Sequence, residues 1–212
     1  MRRTPVLATA ASNTATDNLL EGLESLKVVR MGRAACVRES LRWLTLEARI
    51  AKSRSVAGLR AKLVTAERGN NSRAVRQLRA ILVQEEKQAA KKIISASDVI
   101  VSTCGSCGSE LLDCLHIPTV VIDEATQAAE PTTLLPVLRG CEQLVLIGDH
   151  HQLPPTVISD EVTAQGLDVS LLSRFFAMGI EPHLLNIQYA PVSFQAAVRD
   201  VLRRKASIRS DR

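Results

Sequence analysis

Two short apolar runs each end in acid. Thr119-Val120-Val121-Ile122 leads into Asp123-Glu124, and Leu144-Val145-Leu146-Ile147-Gly148 leads into Asp149, followed by His150-His151-Gln152-Leu153-Pro154-Pro155. Side chains of these types could bind and cleave a nucleoside triphosphate. An Asp at a strand end holds the Mg²⁺ that accompanies the β- and γ-phosphates, and Asp123 has that position. A neighbouring carboxylate can orient or deprotonate the attacking water, which Glu124 is placed to do. Gln152 could touch the γ-phosphate and report its loss. Taken alone, an Asp-Glu pair after a buried strand is better explained by a helix cap or a solvated loop.

Such residues need a scaffold. β-Branched runs bounded by turn residues are the pattern of strands buried on both faces, as in a parallel sheet, and ligands of such sheets sit at the carboxyl ends of the strands. Further strands are expected at Thr4–Thr9, Lys27–Gly32, Ser97–Cys104, Ile117–Asp123 and, last, His183–Tyr189. After the first, Ser12 or Asn13 is placed to cap a helix whose apolar face is Leu19, Leu20 and Leu23. Leu41, Leu44 and Ala48, then Leu59 and Leu63, then Val75, Leu78 and Leu82 recur at helical spacing, with a turn signal at Gly69-Asn70-Asn71. This predicts an α-helical hairpin, apolar on one side and Arg-rich on the other, inserted over about residues 38–95. Residues 167–178 are expected to form an amphipathic helix with Leu171, Leu172, Phe175 and Phe176 inward, stopped by Gly179. The fold class is therefore α/β, a mostly parallel sheet with helices on both faces.

Val121-Ile122-Asp123-Glu124-Ala125-Thr126-Gln127, then Glu130-Pro131, then Gly148-Asp149-His150-His151-Gln152-Leu153-Pro154-Pro155 together resemble motifs II and III of superfamily 1 helicases. The similarity is greatest to the branch with the nonsense-mediated-decay helicase and senataxin. The match is specific in residue type, order and spacing. It implies an incomplete RecA-like P-loop NTPase domain over residues 1–189, with ATP and Mg²⁺ as cofactors and single-stranded RNA or DNA as partner. By the same resemblance Asp123 binds the metal, Glu124 activates water and Gln152 senses the γ-phosphate. Gln127, Asp149, Gln188 and Tyr189 fall at nucleotide-side positions. The Ala10–Leu20 run is similar to motif Ia and Ser97–Cys104 to motif Ic, which makes Ser12, Asn13 and Thr103 candidates for the nucleic-acid backbone. A helix N-terminus suits phosphate on its own physics.

The resemblance also has gaps. The phosphate-binding loop G-x-x-x-x-G-K-[ST] would lie shortly before Thr4, and these 212 residues contain no such run. The Arg expected after Tyr189 is Ala190, and from Ala190 to Arg212 a basic tail, expected to be poorly ordered, resembles nothing in the family. The second RecA-like domain that the resemblance leads one to expect is not among these 212 residues. The expectation is a fragment of an ATP-dependent helicase that by itself neither hydrolyses ATP at an enzyme-like rate nor unwinds duplex. The alternative is a non-catalytic remnant that binds nucleic acid or a partner through the hairpin. An unrelated α/β nucleotide-binding module is disfavoured by the motif III match.

Charge supports nucleic acid. The net charge is +5, yet residues 27–92 carry 17 Lys+Arg against 5 Asp+Glu, and the remainder is acidic. Basic residues at that density neutralise phosphates without reading bases. With three Phe, one Trp and one Tyr, a stacking platform for bases is not supported. No apolar run approaches the roughly 20 residues that span a bilayer, and the basic N-terminal stretch is too broken by Thr and Pro to favour a targeting leader. A cytoplasmic or nuclear location is expected. The cysteines are Cys36, Cys104, Cys107, Cys114 and Cys141, an odd count that argues against a disulfide framework. Cys104-x-x-Cys107 with Cys114 and His116 lacks the spacing of a closed zinc site, so buried or incidental cysteines are expected.

Overall fold

The computed structural model describes residues 4–113, 115–149 and 151–184. Of the expected strand His183–Tyr189 only His183 and Leu184 are described, and they are not in a strand; the rest, with Gln188 and Tyr189, and the basic tail lie outside the described residues, as do Cys114 and His150. Five strands form one sheet: β1 (Val6–Ala10), β2 (Val28–Arg30), β3 (Val99–Thr103), β4 (Thr119–Asp123) and β5 (Gln143–Leu146). Their order is β2-β3-β1-β4-β5, and every pairing is parallel. All five fall where the apolar runs placed them.

Alternate residues of these strands feed two cores. On one face Leu7, Val29, Ile100, Val120 and Ile122 pack with Leu46, Ala90, Ile94, Leu112 and Leu172. On the other, Val6, Ala8, Val28, Val99, Val101 and Val121 pack with Leu19, Leu20, Leu23, Leu41 and Leu44. The strands thus read as continuous apolar runs because both faces are covered.

Helix α1 (Asn13–Gly22) covers the second face. α2 (Leu46–Ala51), α3 (Arg54–Arg68) and α4 (Ser72–Ala96) lie between β2 and β3 in sequence. α3 and α4 form the hairpin. Arg60 pairs with Glu86 at 2.8 Å and Arg79 with Glu67 at 2.9 Å across it, and the base of α4 enters the first core through Ala90 and Ile94. The turn between them uses Asn70 at φ 49°, a conformation Asn tolerates. The helical reading of Leu41 through Ala48 is corrected: residues 39–44 are a 3-10 turn, and α2 starts at Leu46 behind Thr45, whose hydroxyl accepts from the Ala48 N–H. Leu41 and Leu44 are buried against the sheet rather than on the hairpin.

α5 (Glu130–Val137) joins β4 to β5, and α6 (Asp160–Ala164) and α7 (Leu171–Ala177) follow β5. α7 is shorter than the expected 167–178 helix because the Ser170 hydroxyl caps it, accepting from the Ser173 N–H. Leu171 and Leu172 are buried, whereas Phe175 and Phe176 are half-buried. Gly179, at φ 82°, ends it; the Gly179 N–H donates to Phe176 and the Ile180 N–H to Phe175, a Schellman closure.

Candidate functional site

The register of the sheet sets the site. Thr103 on β3, Ala10 on β1 and Asp123 on β4 are level with one another at the carboxyl edge. Beyond that row the chain turns into the loops that carry the candidate residues.

Asp123 closes β4 with its side chain half-buried. Burial pushes its carboxyl up to about 6, opposed by a hydrogen bond from the Glu124 backbone and reinforced by the Glu124 charge. The ionised carboxylate is under-neutralised. A carboxylate oxygen is the donor type Mg²⁺ takes, one or two carboxylates with water and phosphate completing its shell, so Asp123 is chemically compatible with the ion. Glu124 adopts a left-handed conformation, φ 48°, ψ 43°, uncommon for a residue with a β-carbon. This turns the chain sharply after the strand. The Gln127 amide then donates to the Glu124 carboxylate at 3.2 Å. Gln127, expected on the nucleotide side, is thereby a direct partner of the candidate base.

β5 holds the second loop against the first. The Ile147 N–H donates to Ile122 at 2.8 Å, and the Ala125 N–H returns a bond to Ile147 at 2.9 Å. Gly148 follows. A β-carbon there would lie 3.3 Å from the backbone nitrogens of Ala125 and Thr126 and 3.1 Å from Leu172 Cδ2. Glycine is favoured because two backbones approach closely, and a β-carbon would force its neighbours to give by a few tenths of an ångström. The Asp149 carboxylate accepts from the His151 N–H at 3.0 Å, and the Gln152 N–H donates to the Asp149 carbonyl at 3.0 Å. The Gln152 side-chain amide lies 3.5 Å from the Asp149 carboxylate. Asp149 and Gln152 are exposed. The structure thus forms two clusters, Asp123–Glu124–Gln127 and Asp149–Gln152, on adjacent loops of paired strands. Behind them the Glu130 carboxylate accepts from Arg174 at 2.6 Å, tying α5 to α7.

On the other half of the edge, the Ser12 hydroxyl caps α1 by accepting from the Ala15 N–H at 3.1 Å. Asn13 is exposed, and its Oδ1 accepts from Arg30 Nη2 at 3.0 Å. The Thr103 hydroxyl donates to Ser106 Oγ at 2.8 Å and accepts from the Ser106 N–H. A cleft of about 470 Å³ opens beside them, lined by Met31, Gly32, Leu46, Ile50, Arg60 and Ser106 among others. It separates the hairpin from the sheet edge; Asp123 and Glu124 do not line it.

Arg30 is a correction to the basic-segment reading. Included in the charge count over residues 27–92 although it falls on the expected strand Lys27–Gly32, it is 1 % exposed and lies beside buried Asp17, with Nε 3.6 Å from Asp17 Oδ1. Its Nη1 donates to the Met31 carbonyl. Burial lowers its pKa and the Asp17 charge opposes that shift. An Arg inside an apolar strand run was the available signal, since a sheet covered on both faces admits a cation only with a buried carboxylate partner. Of the described cysteines, Cys36 is exposed and Cys141 half-buried. Cys104 and Cys107 are buried and free, the Cys107 thiol being pushed up to about 12 by burial. No group of three or more His, Cys, Asp or Glu among the described residues is placed to hold a metal. No described helix is long and apolar enough to cross a membrane.

Residues 52–160 match the AAA domain family. Over 87% of its length the chain is 35% identical to "Regulator of nonsense transcripts 1" of Caenorhabditis elegans, covering 17% of that protein. It is 33% identical to "ATP-dependent helicase upf1" of Schizosaccharomyces pombe over 87% of the chain and 20% of the relative. The third, "5'-3' DNA helicase ZGRF1" of Mus musculus, is 34% identical over 87% of the chain and 10% of the relative. The chain therefore spans about a fifth or less of the length of these relatives.

Proposed function

The chain belongs to the AAA domain family, in the nonsense-transcript-regulator branch of superfamily 1 helicases, and from that membership we propose that it supplies the catalytic carboxylates and part of the strand-binding edge of an ATP-driven nucleic-acid motor. Asp123 would hold Mg²⁺ and Glu124 would take a proton from the attacking water. Gln152, leaning on Asp149, would face the γ-phosphate. Bound Mg²⁺ would neutralise charge on the phosphates during transfer. The chain's own contribution is positional: the turn at Glu124 brings a second carboxylate beside Asp123, and Gln127 steadies it through one hydrogen bond. The single observation that carries the reading is this carboxylate pair at the carboxyl end of β4, with Asp123 short of a compensating cation.

Ser12, Asn13 and Thr103 on the other half of the edge, with the basic hairpin above them, would take the backbone of a single-stranded RNA or DNA. The test is a chimera in which residues 4–184 replace the matching segment of the C. elegans relative. Strand-stimulated ATP turnover is expected in the chimera, with E124Q lowering it by about 10² to 10⁴-fold while nucleotide binding persists. Turnover that survives E124Q would remove Glu124 from the chemistry. The 212 residues alone hold no G-x-x-x-x-G-K-[ST], and alone they are expected to show no turnover.

The hairpin also supports a second reading, a nucleic-acid- or partner-binding module without catalysis. It is carried by the exposed cations Arg54, Lys62, Arg68, Arg73 and Arg76. A chimera that binds single strands but never hydrolyses ATP would favour it.

A further inference from the structure

We propose that Arg30, a buried cation outside every motif, is the positioning residue that fixes the Asn13 amide as an outward, neutral hydrogen-bond donor to a backbone phosphate of a single strand. The proposal rests on the strand-binding reading above and adds the residue that orders its contact.

Arg30 Nη2 donates to Asn13 Oδ1 at 3.0 Å. A guanidinium has no acceptor, so only the amide oxygen can face it. The Asn13 NH₂ must then point away from Arg30, and it has no hydrogen-bond partner among the described residues. It stands at the first residue of α1, where the backbone N–H groups of Asn13 and Thr14 precede the Ser12 cap bond to Ala15. The bond gives the buried guanidinium an acceptor for Nη2, which Asp17 does not supply: Nε lies 3.6 Å from Asp17 Oδ1, and neither atom has a hydrogen bond among the described residues. The same bond also stops the exposed amide from rotating.

Arg30 is itself held on several sides. Asp17, 5 % exposed, presents Oδ1 to Nε and uses Oδ2 to accept from the Arg38 N–H at 2.8 Å. The Met31 carbonyl takes Nη1. Gly32, at φ 113°, lets the chain leave β2, and a β-carbon there would sit 3.3 Å from Nη1. Arg38 goes on to bond Glu21 at 2.9 Å and Asn18 at 3.0 Å on α1. The end of β2, the start of α1 and the approach to the hairpin thus meet at one guanidinium.

The test is binding of a short fluorescent oligouridine by the 212-residue chain, measured against salt. N13A is expected to bind about tenfold more weakly, with an unchanged slope of log K against log salt because the deleted donor is neutral. N13D keeps an acceptor for Arg30 but turns a carboxylate oxygen toward the phosphate, so it is expected to hold the parental thermal midpoint or better and lose at least about tenfold in affinity. R30K keeps a cation opposite Asp17 without the fork that spans both partners. It is expected to lose as much as N13A, and the double variant no more than either. Parental affinity in N13D, or additive losses in the double variant, would overturn the proposal. If R30K does not fold, N13D decides alone. A parental chain that fails to bind at all would sink the strand-binding reading itself, an outcome distinct from a parent that binds and an N13D variant that binds equally.

Discussion

Asp123 works against its surroundings. Folded, it keeps its proton up to about pH 6, whereas its ordinary value is 3.8. Between those values the native state binds more protons than the unfolded chain, so stability falls as pH rises through the window. The cost is absent below pH 3.8 and complete above about pH 6. D123N removes it. At pH 7 the variant is expected to be more stable by roughly 1 to 3 kcal/mol, and the difference should vanish toward pH 4. Thermal melts of both proteins across that range test this; a gap independent of pH would refute it. Glu124 carries a cost of a different kind, a left-handed backbone of roughly 1 kcal/mol. E124G should therefore melt no lower than the parent although it deletes the candidate base. Both acidic residues sit where the fold alone does not favour them.

At the scale of elements, the loops after β4 and β5 are held by backbone spacing. G148A puts a methyl group against the nitrogens of Ala125 and Thr126 and against Leu172. It is expected to cost about 1 to 3 kcal/mol and to displace the Asp149–Gln152 turn, seen as weakened hydrogen-exchange protection at Ala125. Loss at Ser12 is milder: S12A removes one cap bond, about 1 kcal/mol. The strands were legible because runs such as Thr119–Ile122 are β-branched, unbroken and flanked by turn residues, and Ser12 was legible as a cap. Less legible were features set by packing. Leu41 and Leu44 keep helical spacing yet lie in a 3-10 turn, since their burial is decided by the sheet face they meet. Arg30 belongs to a basic segment by composition and to the core by position. The residues of the candidate site were legible through motif spacing. Their hydrogen bonds, such as Gln127 to Glu124, needed the turn at Glu124, which residue type disfavours.

For the whole molecule, charge is divided. The hairpin carries its cations on exposed surface, two of them neutralised across the helix pair by Glu67 and Glu86. Charge reversal of Arg68, Arg73 and Arg76 near the tip is expected to weaken single-strand binding and to flatten its salt dependence by about 0.7 in log–log slope for each phosphate that is no longer neutralised. An unchanged slope would place the nucleic acid elsewhere. The sheet edge and the hairpin would then be separate devices, with the cleft between them idle.

The strand order also sets how the chain must fold. β1 pairs directly with β3, so Val6 must find Val99 across α1, β2 and the entire insertion. Closing so long a loop is slow. α3 and α4, joined by a tight turn and matched by two ion pairs, can pair from local sequence alone. Once they have done so, the ends of the insertion are drawn together and the search left to β1 and β3 is shorter. The hairpin is thus a kinetic splint as well as a charged arm, and weakening it should slow sheet assembly before it lowers final stability.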